Sequence, residues 1–298
     1  MSICTYGLPA RQVRELVVAA EAAGFDAVWV GEHMVVPGAV RSQHPTQPGA
    51  QTAVHNGRAI VDPGTVLADP LVALAAGAGA TTTVGLATAI YVLPLRHPLD
   101  AARATATLQE ASGGRLVLGV GLGWLEEEFA ALGIDHATRR RRYEEALEVL
   151  RMAWAGGMVS YAGEHFAFTD VQVTPHPVQI PLVLGGNTAP AVARAARLGD
   201  GWITSGTPTF EAAVDLHATV RAAVDAAGRA AGFRTWVRMA SVDPADAARY
   251  RAEGLDDLVV WAHRIFGELP LDATAERHDA VLRVGRELGL TPAGPSAS

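Results

Sequence analysis

The sequence predicts an α/β protein, a (β/α)8 or TIM barrel that forms a single domain over residues 1–290. Eight apolar runs typical of buried strands alternate with eight longer segments of helical periodicity along the 298 residues. No linker-rich break interrupts this repeat, and 49% of the residues are hydrophobic, which suffices for one large core. Residues 291–298 are predicted to form a disordered tail.

The strand-like runs are spaced so that a helix fits after each of them. They cover residues 2–7, 26–31, 82–92, 115–121, 181–185, 200–205, 234–242 and 256–262. The helical segments cover residues 10–23, 69–79, 98–112, 137–155, 188–198, 208–231, 244–253 and 273–288. Helix start signals, either a proline in the first turn or a capping side chain, occur at Asp69-Pro70, His97-Pro98, Thr188 and Asp243-Pro244.

Two segments fall outside the repeat. A long polar loop covers residues 34–66 after strand 2, and a predicted hairpin covers 157–180 before strand 5. Long loops in compact domains are usually functional, and the active sites of TIM barrels lie at the carboxyl ends of the strands. We therefore expect these two segments to determine which substrate is accepted.

Composition excludes several classes of function. The formal net charge of −7 offers no basic surface for nucleic acid or an anionic membrane, so a small molecule is the expected partner. The N-terminus lacks a signal-peptide pattern and no window has the length of a membrane span, which predicts a soluble cytoplasmic protein. The single cysteine, Cys4, and the absence of CxxC or HExxH spacings give no metal framework. All 24 basic residues are arginine, which excludes Schiff-base chemistry on lysine.

The predicted strand ends carry aromatic, aliphatic and glycine residues but few ionisable groups. This rim suits a flat bound cofactor, whereas a hydrolytic barrel would show paired carboxylates or metal-binding histidines. Glu32 and His33, at the end of strand 2, are the exception. Because a buried charge is costly unless it is compensated, this pair has to be exposed, paired or functional.

Two glycine-rich turns follow strands 4 and 5. In the turn 185–188 (GGNT), backbone N–H groups at the entrance of a helix form a candidate phosphate site, and an ordinary turn capped by Thr188 is the alternative. The segment GVGLGW lacks the third glycine of a dinucleotide-binding fingerprint. Gly121 and Gly123 instead allow a planar ring to lie close to the strand end.

Three segments of residues 10–205 together resemble the luciferase-like monooxygenase superfamily, and within it the oxidoreductases that use coenzyme F420. They are AAEAAGFDAVWVGEHMVVP, DPLVALAAGAGATTTVGLATAIYVLPLRHPLDAARATATLQEASGGRLVLGVGLGWLEEEF and PLVLGGNTAPAVARAARLGDGWI. The resemblance implies that His33 faces the reactive ring of the cofactor as a base or an electrostatic partner. We expect Glu32 to position the proton of His33. The resemblance also implies a cis peptide at Ala89-Ile90 behind that ring. The cofactor-binding residues that it implies are Ala89, Ile90, Gly121, Gly123, Trp124, Gly185, Gly186, Asn187 and Thr188.

The chain departs from the resemblance at Trp124, where sugar-phosphate dehydrogenases of this group have a catalytic glutamate. Neither their substrate nor their acid is therefore carried over. Glu128, one helical turn further on, either takes the place of this acid or lies on a solvated helix face, and we expect the solvated face. Arg96 either binds a phosphate tail or pairs with a carboxylate at a helix start, and Arg139–Arg142 either attract a polyanionic tail or are solvated.

The predicted function is hydride transfer between F420 and a small organic substrate, with Glu32 and His33 as catalytic residues and His33 transferring the proton. One alternative is an FMN-dependent monooxygenase that uses O2. Another is a degenerate barrel that binds a metabolite without redox chemistry. No metal is implied, and the resemblance predicts a homodimer.

Overall fold

Eight parallel strands close into a barrel in chain order, which confirms the predicted TIM barrel. They are β1 Ser2–Thr5, β2 Ala27–Val30, β3 Gly85–Thr88, β4 Leu116–Gly121, β5 Leu182–Gly185, β6 Gly201–Ile203, β7 Arg234–Arg238 and β8 Asp257–Trp261. Each strand pairs with the next, and β8 pairs with β1 to close the barrel. The computed structural model describes residues 1–45, 54–55, 58–60 and 62–294. The parts of the predicted loop and tail at 46–53, 56–57, 61 and 295–298 lie outside the described residues.

Helices cover the outside of the barrel at the positions that the periodicity predicts. They are α1 Ala10–Ala23, α2 Pro70–Ala78, α3 Pro98–Ala111, α4 Glu126–Ala131, α5 Arg139–Trp154, α6 Ala189–Leu198, α7 Phe210–Ala226, α8 Pro244–Ala252, α9 Ala262–Phe266 and α10 Thr274–Glu287. The short helices α4 and α9 lie outside the eight predicted helical segments. Within the described ranges, no helix has both the length and the hydropathy needed to cross a membrane.

Helix capping follows the predicted start signals with one exception. The Asp69 carboxylate accepts the N–H of Leu71 at 2.9 Å, and Pro70 occupies the first turn of α2. Thr188 precedes α6, but its side chain makes no capping hydrogen bond, so that prediction is wrong. The residue two places on, Pro190, has no N–H, and the N–H of Ala191 is taken by the Thr188 carbonyl at 2.9 Å.

The barrel interior is filled by side chains from alternate strand positions. Trp29 and Trp236 pack edge to face across it, with ring centroids 5.2 Å apart. Smaller residues, among them Cys4 and Ala87, complete this inner cluster. Because bulky residues fill the middle of the barrel, open space is left at the carboxyl ends of the strands.

The two additional segments are only partly regular. The predicted hairpin 157–180 contains the antiparallel strands Met158–Ala162 and Ala167–Gln172. In the loop after β2, the described residues include a short antiparallel pair at 54–55 and 58–59.

Strand β7 was predicted to continue to residue 242, but it ends at Arg238. The Ser241 hydroxyl accepts the N–H of Asp243 and bonds the Asp246 carboxylate, so residues 241–243 form the entrance of α8.

Candidate active site

A cavity of about 1020 Å³ opens at the carboxyl ends of the strands. Every residue predicted for the site lines it, although their strands are dispersed along the chain. These residues are Glu32 and His33 after β2, Ala89 and Ile90 after β3, Gly121, Gly123 and Trp124 after β4, and Gly185, Gly186, Asn187 and Thr188 after β5. The structure thus brings the predicted residues together around one space.

His33, in the wall of this cavity, contacts a buried carboxylate. Its Nδ1 lies 3.1 Å from Oε2 of Glu128, whose side chain is 0% exposed. The other Glu128 oxygen accepts the backbone N–H groups of Met34 and Val35. A carboxylate held by N–H donors requires the hydrogen of the neutral imidazole to be on Nδ1. Nε2 is then the His33 nitrogen left for a bound molecule.

The predicted exposure of Glu128 is therefore wrong. Helix α4 begins at Glu126, so three successive glutamates occupy its first turn and point in different directions. Glu127 accepts hydrogen bonds from Ser42 and from the N–H of Arg41 in the loop after β2. Glu128 instead faces the barrel and the loop that carries His33.

Glu32 binds Arg96 instead of His33. The prediction that Glu32 positions the proton of His33 is therefore wrong. Oε2 of Glu32 accepts hydrogen bonds from Nη1 of Arg96 at 2.9 Å and from the N–H of Val92 at 2.8 Å. The Oε1 atom accepts a hydrogen bond from Nη2 of Arg96. Successive side chains of an extended segment point to opposite sides, so Glu32 and His33 meet different partners. Burial raises the pKa of the Glu32 carboxyl, and the contacts with Arg96 oppose that effect.

Arg96 is thus an ion-pair residue, which decides between the two readings left open by its sequence. The guanidinium stacks on the ring of Tyr91, with Cζ 3.9 Å from the ring centroid. Its Nη2 also lies 3.8 Å from the carboxylate of Asp69, at the start of α2. Because these contacts occupy the side chain, Arg96 is not available to a phosphate tail.

Aromatic rings surround His33 on the cavity side. The ring centroids of Tyr6 and Trp124 lie 5.8 and 5.7 Å from that of His33, both edge to face. Trp124 also contacts His44 at 5.0 Å. Burial, with a smaller effect of the nearby His33, lowers the pKa of His44 to about 4, so His44 is neutral at pH 7. Trp124, at the position where the sugar-phosphate dehydrogenases of this group have a catalytic glutamate, is therefore part of an aromatic wall.

The Ala89-Ile90 peptide is cis, as the resemblance implied. The glycines at the ends of β4 and β5 leave room for the Ile90 side chain. A Cβ atom on Gly121 would lie 2.4 Å from Cδ1 of Ile90, and one on Gly185 would lie 3.2 Å from Cγ2. Glycine at these positions therefore keeps this side of the cavity open for a flat ring.

The turn 185–188 is tied to the loop after β6. The Asn187 side chain donates to the Ser205 carbonyl at 2.8 Å and accepts the Ser205 N–H at 2.7 Å. The N–H of Gly186 lies 3.4 Å from the Ile203 carbonyl, so it is not free for a phosphate, in contrast to the prediction. Arg139 and Arg194 line the same cavity and add positive charge. An anionic tail would thus meet arginine side chains as well as the remaining N–H groups of the turn.

Sequence reasoning also missed the cavity residue Arg238. It ends β7 and is only 4% exposed. The available signal was a charged residue between the apolar residues of the run WVRM. That signal was lost because the strand was predicted to run on to residue 242.

The model of the luciferase-like monooxygenase family matches residues 3–288. The chain belongs to the luciferase-like monooxygenase family. This is a family of flavin- or F420-dependent oxidoreductases, and its TIM-barrel fold agrees with the strands described above.

Individual relatives are similar to this chain over different shares of its length. An uncharacterized protein of Mycobacterium tuberculosis is 36% identical over 190 residues, which cover 62% of this chain and 64% of that protein, less than two thirds of its length. An F420-dependent glucose-6-phosphate dehydrogenase of Beutenbergia cavernae is 34% identical over 202 residues, 66% of this chain and 53% of that enzyme.

One solved structure, an F420-dependent secondary alcohol dehydrogenase in complex with an F420-acetone adduct, superposes with a TM-score of 0.64. Its sequence identity is 22%, and the match covers 96% of this chain and 83% of that one. At this identity the likeness concerns the luciferase-like fold alone.

Proposed function

We propose that this luciferase-like protein is an oxidoreductase that binds coenzyme F420 and exchanges a hydride between the coenzyme and a small organic substrate. The observation that carries the catalytic part of the proposal, the transfer of a proton by His33, is the buried contact between His33 and Glu128. The relative that is 34% identical, an F420-dependent glucose-6-phosphate dehydrogenase, supports this choice of coenzyme.

The cavity residues fit such a coenzyme. Ligand sites usually measure about 300–1,000 Å³, and the present cavity of about 1020 Å³ has room for a ring system beside a small substrate. The ring would lie against Ala89-Ile90, where Gly121 leaves space. The anionic tail would run toward the turn 185–188 and the guanidinium groups of Arg139 and Arg194.

When bound, the coenzyme supplies the hydride exchange, and the protein manages the accompanying proton. Glu128 fixes the ring of His33 and holds the hydrogen on Nδ1, so Nε2 exchanges a proton with the substrate oxygen. In oxidation of a hydroxyl group Nε2 accepts this proton, and in reduction of a carbonyl group His33 returns it. Trp124 and His44 limit the access of water to this place.

An FMN-dependent monooxygenase is the second candidate function, because the family takes its name from monooxygenases. The fold and the His33–Glu128 contact suit either cofactor. The chemistry differs, since a monooxygenase consumes O2 and needs a supply of reduced flavin. A barrel without redox chemistry would bind neither cofactor.

Cofactor binding distinguishes these proposals. Mass spectrometry of the ligand released from purified protein, followed by fluorescence titration with F420 and with FMN, measures the preference directly. We expect F420 to bind more tightly than FMN. Binding of FMN alone would replace our proposal by the monooxygenase, and binding of neither would contradict both.

The role of His33 is tested separately with the variant His33→Ala. General acid–base catalysis contributes about 100- to 10,000-fold to a rate, so turnover of F420 with a panel of small alcohols should fall by that order. Coenzyme affinity should stay close to that of the wild type. Wild-type turnover by a folded, F420-binding His33→Ala variant would remove this histidine from the mechanism.

A further inference from the structure

Arg238 places a positive charge at the base of the cavity. The side chain extends from the end of β7 across the barrel, and its Nη2 lies 3.4 Å from the carbonyl oxygen of Ala89, after the opposite strand β3. Nη1 donates to the carbonyl of Thr204. Arg238 thus connects the cavity floor beneath the proposed ring site with the end of β6.

No carboxylate compensates this charge among the residues that the structure describes. The ionisable group in contact with Arg238 is the Cys4 thiol, whose Sγ lies 3.9 Å from Nη2. Burial raises the pKa of Cys4, so the thiol is neutral at pH 7. The guanidinium of Arg96, whose side chain is 10% exposed, is held by the carboxylates of Glu32 and Asp69 instead.

The bonds that Arg238 makes do not use its full capacity. A guanidinium has five N–H donors, yet the buried Nε has no hydrogen-bond partner among the described residues. The Trp261 ring, with its centroid 5.2 Å from Cζ, offers only a partial counterpart to the charge. Two carbonyl acceptors need hydrogen-bond donors but no net charge, so support of the Ala89 and Thr204 carbonyls does not account for an arginine here.

We propose that Arg238 binds a negatively charged oxygen of the molecule that occupies the cavity. Two sources share this chemistry: a carboxylate-like group of an acidic substrate, and the ionised ring hydroxyl of F420, whose charge is delocalised over the ring. The inference about an acidic substrate is independent of the cofactor assignment. The inference about the ring rests on the proposed function.

The first arm of the test uses benzoate and its neutral counterpart benzyl alcohol as probes. Binding to the apoprotein is followed by tryptophan fluorescence, because Trp261 contacts the guanidinium. A charge-assisted hydrogen bond contributes about 1.5–3 kcal/mol, so the wild type should prefer benzoate by about tenfold or more. Arg238→Gln should abolish this preference, and Arg238→Lys should retain part of it. The control Arg264→Gln removes an exposed arginine from the rim of the same cavity and should keep the preference.

The second arm measures ionisation of bound F420 from its visible absorption as a function of pH. In the wild type the ring hydroxyl should ionise at lower pH than in Arg238→Gln, because the guanidinium stabilises the anion. Failure of F420 to bind would contradict the proposed function and leave the benzoate arm to decide this inference.

The outcomes separate the two sources. An effect of Arg238 on benzoate alone assigns the charge to an acidic substrate, and an effect on F420 alone assigns it to the ring. If Arg238→Gln melts below the assay temperature in circular dichroism, Arg238→Met takes its place. A folded charge-free variant that matches the wild type with both probes would overturn the proposal.

Discussion

The Oε2 atom of Glu128 lies 3.1 Å from Nδ1 of His33, although 95 positions separate the two residues in the chain. The contact joins the loop after β2 to helix α4, which follows β4. Both side chains are buried at the wall of the cavity. An acid that orients a histidine from behind leaves the other ring nitrogen for chemistry, as in the Ser-His-Asp triad.

Replacement of Glu128 by glutamine should therefore lower turnover without a loss of coenzyme binding. We expect Glu128→Gln to reduce kcat by about 10- to 100-fold, a part of the full contribution of an acid–base group. For carbonyl reduction, the pH profile of kcat should move toward lower pH, because a neutral amide no longer stabilises the imidazolium. Stopped-flow measurement of F420 oxidation between pH 5 and 9 checks both effects.

The neighbouring residue supplies a matched control for this variant. Glu127 belongs to the same helical turn but binds the loop after β2 through Ser42. Glu127→Gln should leave the pH profile of kcat unchanged. An equal shift in both variants would mean that the contact between Glu128 and His33 has no special part in proton transfer.

The ion pair between Glu32 and Arg96 should contribute to stability. The two side chains are 2% and 10% exposed, so Glu32→Gln leaves a nearly buried guanidinium whose remaining carboxylate neighbour, among the residues that the structure describes, is Asp69. Breaking a buried pair by removing one partner costs about 3–5 kcal/mol. We expect the free energy of unfolding of Glu32→Gln, measured in urea, to fall by about 3 kcal/mol. The double variant Glu32→Gln/Arg96→Met should lose less.

An exposed pair provides the comparison for this experiment. Asp100 and Arg103 form a salt bridge with side chains that are 62% and 74% exposed. Asp100→Asn should change the free energy of unfolding by less than about 1 kcal/mol. A cost of Glu32→Gln no larger than that of Asp100→Asn would refute a stabilising role of the buried pair.

The sequence predicted the barrel because strand and helix periodicity are local properties. Because the strands are parallel, the loops after β2, β3, β4 and β5 then had to meet at the same end of the barrel. The partner of His33 was not predictable in this way. Glu126, Glu127 and Glu128 look alike in the run WLEEEF, and only the start of α4 decides which carboxylate turns inward.

Two other predictions were wrong: the partner of Glu32 and the end of β7. Glu32 stands next to His33 in sequence, but in an extended segment neighbours face opposite ways and find separate partners. Arg238 was missed because apolar residues continue past the end of β7. The polar bonds of Ser241 that end the strand are tertiary details of the helix entrance.

Stability below neutral pH should depend on His44. Burial and the nearby His33 lower the pKa of His44 to about 4, from an ordinary value of 6.5. The unfolded chain therefore takes up a proton first as the pH falls. The stability associated with neutral His44 is complete above pH 6.5 and is lost progressively as the pH falls toward 4.

Differential scanning fluorimetry between pH 7.5 and 4.5 tests this dependence. The melting temperature of His44→Gln should fall less steeply over this range than that of the wild type. His176→Gln, which replaces an exposed histidine, should follow the wild type. If the two variants have parallel curves, His44 does not determine the acid sensitivity.

The glycines of β4 should respond differently to alanine, because they face different neighbours. A Cβ on Gly119 would lie 1.9 Å from the backbone oxygen of Thr88, which cannot move without disturbing β3. A Cβ on Gly121 would instead meet the side chain of Ile90, with Cδ1 at 2.4 Å and Cγ1 at 3.0 Å, and that side chain can turn. Gly119→Ala should therefore lower the free energy of unfolding by about 3 kcal/mol or more, at the upper end of overpacking costs.

Gly121→Ala should remain folded with a smaller loss of stability, but the displaced Ile90 side chain takes up space in the cavity. We expect its affinity for F420 to fall about tenfold, which corresponds to about 1.4 kcal/mol. Urea unfolding and F420 titration of both variants check the contrast. If Gly121→Ala binds the coenzyme as tightly as the wild type, the bound ring does not lie against Ile90.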